Sequence, residues 1–160
     1  MSRRYPVPPA KEVSHLKEHL GYWMRMVSNG VSHTFARKLE SKGVTVAEWV
    51  ILREMFENQD TTTPSTVAEL TGLTRGAVSK LITRLLDKDL VSRKESSDDR
   101  RYQDIKLTGK GKNLVPQLAK IADENDQSFF SILTKSERDQ LKVLLMKMAG
   151  HEKIKALPID

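Results

Sequence analysis

The sequence predicts a mainly α-helical chain with a small β wing, organised around a winged helix-turn-helix, and three observations predict it. Within Pro64–Asp89, Ala68 is followed four residues later by Gly72, six after that by Val78 and three further on by Leu81. A small residue lets two helices approach, a glycine takes the corner position with φ > 0, and Val78 and Leu81 pin the second helix onto the first. Next, Leu90-Val91 and Ile105-Lys106-Leu107 read as two short strands separated by the polar run Glu95 to Arg101. Finally, the flanking stretches 11–42 and 109–150 carry apolar residues at steps of three and four, the signature of amphipathic helices.

Taken in chain order, Met1–Ala10 is a Pro-rich arm without periodicity, read as extended. From Lys11 to Lys42 one stripe runs through Val13, Leu16, Leu20, Trp23, Val27, Val31, Phe35 and Leu39, with Gly30 expected to mark a kink or break. Gly43 ends that helix. Thr45 with Glu48 forms a capping box for a helix over 46–57, with Trp49, Leu52 and Phe56 expected inward. Asn58–Pro64 reads as a polar turn. In the helix-turn-helix, Leu73 plugs the corner and Thr74 caps the second helix. Thr108 then caps a long helix through Leu114, Leu118, Ile121, Asn125, Phe129, Ile132 and Leu133, to about residue 133, with Pro116 expected to bend it. Thr134 and Glu137 make another capping box, and Leu141, Leu144, Leu145 and Met148 stripe the last helix. The terminal stripes are more apolar than one slim winged unit needs, which predicts packing between subunits as a homodimer; covering their own core is the alternative.

The second helix of the corner keeps Val78, Leu81, Ile82 and Leu85 inward and leaves Arg75, Gly76, Ser79, Lys80 and Thr83 outward. Such a short, polar, basic face suits the major groove of double-stranded DNA. Arg75, Ser79 and Lys80 are the candidates for base edges, and Thr74 and Arg84 for phosphates. Asp99, Arg100 and Arg101 fall at the wing tip, where Arg101 is expected to enter the minor groove with Asp99 steadying it. Charge agrees: the chain has a formal net charge of +6, and Arg75–Lys112 holds eleven basic and six acidic residues, +5 of that total. Chance helical hairpins and plain solvated faces produce each feature singly, and a winged helix used as a protein-interaction adaptor is the rival reading.

Other chemistry finds little support. With 160 residues, 38% apolar and 30% charged, the chain has the size and composition of one soluble globular domain. Having no cysteine, it excludes disulfides, thiolate metal sites and thiol-based oxidant sensing within the chain. His15-Leu16-Lys17-Glu18-His19 matches a zinc-protease string, but catalysis would need a third ligand and a cleft; two surface histidines are the simpler reading, with a regulatory metal that also draws on His33 as the alternative. Gly109-Lys110-Gly111-Lys112 lacks the upstream glycine and following hydroxyl of a phosphate loop and reads as the start of a basic helix. Thr61–Thr63 and Ser96-Ser97 have no base beside them. The expectation is therefore no enzyme, no cofactor and no resident metal. No run has the length of a signal core or a membrane span, so a cytoplasmic location is expected.

These pieces together resemble the MarR family of regulators. The resemblance rests on Val44-Thr45-Val46-Ala47-Glu48-Trp49, then 64–88, then Asp99-Arg100-Arg101, then Leu107-Thr108-Gly109-Lys110-Gly111, then 135–149, in that order. One departure is Asp89, where the family has glycine after the second helix of the corner, so a differently built turn is expected. The resemblance implies one domain over 1–160, with 11–42 and 109–150 as dimerisation helices and 46–107 as the winged DNA-binding part. It also implies a homodimeric repressor on an inverted repeat, released by a small-molecule effector. Small anionic aromatics are the effector class it implies, seated between the dimer helices and the wing; Tyr22, Trp23, Met26 and His33 are the candidates to line that cleft, although the same spacing serves a plain core.

Overall fold

The computed structural model describes residues 13–95 and 103–160. A single 3-10 turn (Leu16–Glu18) precedes α1 (Leu20–Glu40), α2 (Val46–Glu57), β1 (Thr61–Thr62), α3 (Pro64–Thr71), α4 (Arg75–Asp87), β2 (Val91–Glu95), β3 (Gln103–Leu107), α5 (Gly109–Phe129) and α6 (Lys135–His151). The Pro-rich arm at 1–10 and the wing tip with Asp99, Arg100 and Arg101 lie outside the described residues.

Threonine hydroxyls start five of these helices. Thr45, Thr63, Thr74, Thr108 and Thr134 each accept a hydrogen bond from the backbone N–H three residues on, satisfying a donor the helix itself cannot. Glu48 and Glu137 return the bond to their cap residues, completing the two expected capping boxes. Gly72 ends α3 at φ 70, the left-handed corner conformation that glycine takes without strain.

The sheet has the order β1-β3-β2, antiparallel throughout. β2 and β3 form the expected wing, in register Val91↔Leu107 through Lys94↔Asp104. β1 is a correction, because Asn58–Pro64 reads locally as a turn. Its two residues have no alternation of their own, and the free edge of β3 recruits them through Thr61↔Lys106 and Thr62↔Ile105.

One core joins α2, α3, α4, the sheet and the first half of α5, with Ile51, Leu52, Val67, Leu81, Leu85 and Leu118 at its centre. Phe56 is another correction: it is exposed, and α2 turns Ile51, Leu52 and Met55 inward instead. Trp49 is half-buried, edge-on to Phe35 with ring centroids 6.3 Å apart.

The first helix starts at Leu20, not residue 11, and continues unbroken through Gly30. Gly30 marks a close approach: a Cβ there would lie 3.3 Å from Cζ of Phe129 on α5. At the other end α5 stops at Phe129, and Ile132 is exposed rather than striped into the helix. Pro116 sits within α5, which continues through it. Asp89 has φ 57, so the turn after α4 takes the left-handed form a glycine would supply and is not built differently.

Two faces are left open. No residue of α6 is buried, and Val143, Leu144 and Met146 are more than half exposed. The first half of α1 likewise exposes Trp23, Met24, Met26 and Val27. Among the described residues no helix is long and apolar enough to cross a membrane.

Candidate nucleic-acid interface

Helix α4 is amphipathic in the sense its sequence requires. Val78, Leu81, Ile82 and Leu85 are buried, and four such side chains contribute about 1.5–3 kcal/mol each to seating the helix. Arg75, Gly76, Ser79, Lys80, Thr83 and Arg84 are exposed on the other side. Ser79, Lys80, Thr83 and Arg84 border a shallow groove of about 340 Å³ along that face. The fold thus brings together Thr74, Arg75, Ser79, Lys80 and Arg84 on one element.

Thr74 stands at the corner itself, with its Oγ1 accepting from Ala77 N at 3.3 Å. The hydroxyl proton is not used in that bond and is free to point outward. A helix N-terminus with an outward hydroxyl and an arginine at its first position suits an anion. Beside α4, the hairpin presents Ser92, Arg93, Lys94 and Lys106, all exposed. Ser92 pairs across from Lys106 and Lys94 from Asp104, so basic groups occur on both strands of the wing. Asp99, Arg100 and Arg101 continue this hairpin in sequence, outside the described residues.

Beneath the C-terminal end of α4 lies a group whose place in the sequence indicates only a cap. Glu48 is fully buried. Its carboxylate accepts from Thr45 N at 3.0 Å and from Lys88 Nζ at 2.7 and 2.9 Å, and Arg84 Nε lies 3.8 Å away. Lys88 Nζ also donates to Gly43 O at 2.7 Å, and Lys110 Nζ donates to Lys88 O at 2.9 Å. Local sequence signals do not reveal this, because Glu48 and Lys88 are forty residues apart.

The candidates for an effector cleft are more scattered. Tyr22 and Trp23 meet edge to face with centroids 5.3 Å apart, and Trp23 Nε1 donates to Lys17 O at 2.8 Å. His33 lines a separate groove of about 510 Å³ with Arg25, Ser28, Asn29, Ser32 and Asp160. Met26 is half exposed on the open side of α1. His15 and His19 flank the 3-10 turn instead of sharing a helix face, and Glu18 is occupied in bonding His15 N at 3.1 Å.

Comparison with known proteins places this geometry. A family model described as MarR family matches residues 42–101, from the turn before α2 to the wing. The HTH-type transcriptional regulator MgrA of Staphylococcus aureus is 28% identical over 135 residues, 84% of this chain and 90% of MgrA. Among solved structures, the complex of S. aureus MepR with DNA superposes with a TM-score of 0.72 at 30% identity, covering 83% of this chain and 98% of MepR. Bordetella bronchiseptica BpsR, whose DNA binding is regulated by 6-hydroxynicotinic acid, superposes with a TM-score of 0.73 at 26% identity, covering 86% of this chain and 98% of BpsR. With a family match over the helix-turn-helix and a superposition that covers most of both chains at 30% identity, the protein belongs to the MarR family of transcription regulators.

Proposed function

We propose that this chain is a sequence-specific regulator that binds double-stranded DNA as a homodimer, acting as a repressor released by a small-molecule effector. The observation that carries the reading is the division of α4: an apolar face sunk in the core and an outward face of Arg75, Ser79, Lys80, Thr83 and Arg84 beside a basic hairpin. In this reading Arg75, Ser79 and Lys80 meet base edges, Thr74 and Arg84 hold phosphates, and Arg100 and Arg101 serve the minor groove with Asp99 orienting Arg101. The winged part is 46–107, and the dimerisation helices are 11–42 and 109–150. Exposed apolar side chains along α1 and α6 support the dimer, since a lone chain would leave them in water.

The MepR complex with DNA supports the DNA partner, and BpsR's regulation by 6-hydroxynicotinic acid supports a small aromatic acid as effector. Tyr22, Trp23, Met26 and His33 are the proposed contacts for it. A DNA-binding regulator of this kind works in the cytoplasm and has no catalytic step.

Selecting genomic fragments with the purified full chain, then titrating the recovered fragment at several salt concentrations, tests the reading. Phosphate contacts release counterions, so affinity should fall steeply with salt, with a log–log slope of about −0.9 per phosphate neutralised. Recovery of no preferred fragment, or binding indifferent to salt, would favour the adaptor reading and overturn this one.

A further inference from the structure

We propose that Glu48 is a positioning residue for DNA readout: a buried anion that fixes the C-terminal end of α4 and the direction of the Arg84 side chain. This inference rests on the proposed DNA-binding role of α4. Glu48 sits in the first turn of α2, where a capping box needs only an acceptor, and glutamine would serve as well. The surroundings require more. A fully buried carboxylate is costly unless paired and hydrogen-bonded, and here it receives Lys88 through both oxygens, at 2.7 and 2.9 Å, with Arg84 at 3.8 Å. Lys88 is the residue that ends α4, and its ammonium also holds Gly43 O at the turn between α1 and α2.

One carboxylate therefore joins three parts: the start of α2, the turn that precedes it and the end of α4. Buried ion pairs contribute little net stability compared with apolar replacements of similar shape, and their best-attested use is to fix register. The register fixed here is that of α4. Arg84 is on the exposed face, with its side chain about half exposed, and Glu48 is the acidic partner that holds its Nε side. Its remaining guanidinium donors stay available to a phosphate. Glu48 also lowers the positive charge beneath the interface, which weakens binding to DNA of any sequence while the constrained helix keeps the matched one.

These two effects have opposite signs, and the opposition makes the test decisive. The full chain carrying Glu48→Gln keeps both cap bonds but loses the charge. Affinity for a random-sequence duplex should rise, because Lys88 and Arg84 are no longer neutralised. Affinity for the selected operator fragment should fall or stay level, so that the operator-to-random ratio drops about tenfold, the size of one weakened base contact. A merely structural role predicts that both affinities fall by one common factor, the fraction of folded chain, and that result would overturn the proposal. The double variant Glu48→Gln/Lys88→Met guards against poor folding: removing both partners should restore thermal stability toward the parent without restoring the ratio. Recovery of the ratio along with stability would also overturn it. Should the parent bind no DNA, the functional reading fails on its own account, and hydrogen exchange decides the positioning claim separately. Glu48→Gln should speed exchange at the amides of Lys88, Asp89 and Leu90 selectively, and a uniform change across α2, α3 and α4 would rule the claim out.

Discussion

At the scale of single residues, the positions that matter most are those where backbone meets backbone. Gly111 is the third residue of α5, in its first turn, and a Cβ there would overlap the carbonyl oxygen of Leu90, which itself accepts from Thr108 N at 3.1 Å. Neither partner can yield, since both belong to the junction of wing and α5. Gly111→Ala should therefore destabilise the chain by about 3 kcal/mol, the upper part of the overpacking range, and lower its Tm by roughly 9 °C. Thermal melting checks this, and a loss under about 1 kcal/mol would mean the junction is softer than its geometry indicates. Asp89 predicts the reverse sign. Its φ of 57 costs an L-residue about 1 kcal/mol, partly offset in a glycine variant by extra freedom when unfolded. Asp89→Gly should thus gain about 0.5 kcal/mol, with the bond from Thr108 Oγ1 to Asp89 O retained. Sequence identified Asp89 as unusual, because one residue type stands where another is expected. It did not identify the burial of Glu48 or the tightness at Gly111, since both depend on atoms brought together by the tertiary fold.

At the scale of elements, helices that carry their own start signals were legible and those defined by neighbours were not. Thr45, Thr74, Thr108 and Thr134 cap where the sequence places them, because an N-cap is settled within four residues. The start of α1 has no such cap: His19 precedes it without a side-chain bond, and the apolar stripe alone extends the expected helix too far. Likewise β1 exists only as a partner of β3. The roles proposed for the exposed residues of α4 differ, and each can be measured. Lys80→Ala should cost about 1–3 kcal/mol at the selected operator and little on random duplexes, as loss of a base-edge contact does. Arg84→Ala should weaken both kinds of DNA and reduce the salt slope by about one unit, as loss of a phosphate contact does. Fluorescence anisotropy on the two duplexes checks both variants, and matching losses for the two would remove the distinction between Lys80 as a base-edge contact and Arg84 as a phosphate contact.

At the scale of the whole molecule, the open question is where the apolar faces of α1 and α6 go. The helix stripes were legible in the sequence, but a stripe does not say whether its partner is in the same chain. The structure narrows the choice: α6 is 17 residues long, starts from a complete capping box and has no fully buried residue. A helix of that length owes its stability mainly to packing of its apolar face, so a second copy is the expected cover. Leu144, 57% exposed, provides the test. In a monomer, Leu144→Glu is a surface change worth no more than about 0.5 kcal/mol in either direction. In a dimer it places an unpaired charge at the interface, and sedimentation should show the mass falling toward that of one chain. Binding to an operator should then fall as well, although Leu144 is on a different helix from α4. Two recognition helices on one dimer meet half-sites about 10 base pairs apart, and the second contact adds a factor of about 10²–10⁴ through linkage alone. Leu144→Glu should therefore lose most of its affinity for a duplex with two half-sites while keeping the weak affinity for a single one. An unchanged mass together with unchanged operator affinity would mean that the apolar face of α6 is covered by something other than a second copy, and the two-site reading of the DNA would have to be abandoned with it.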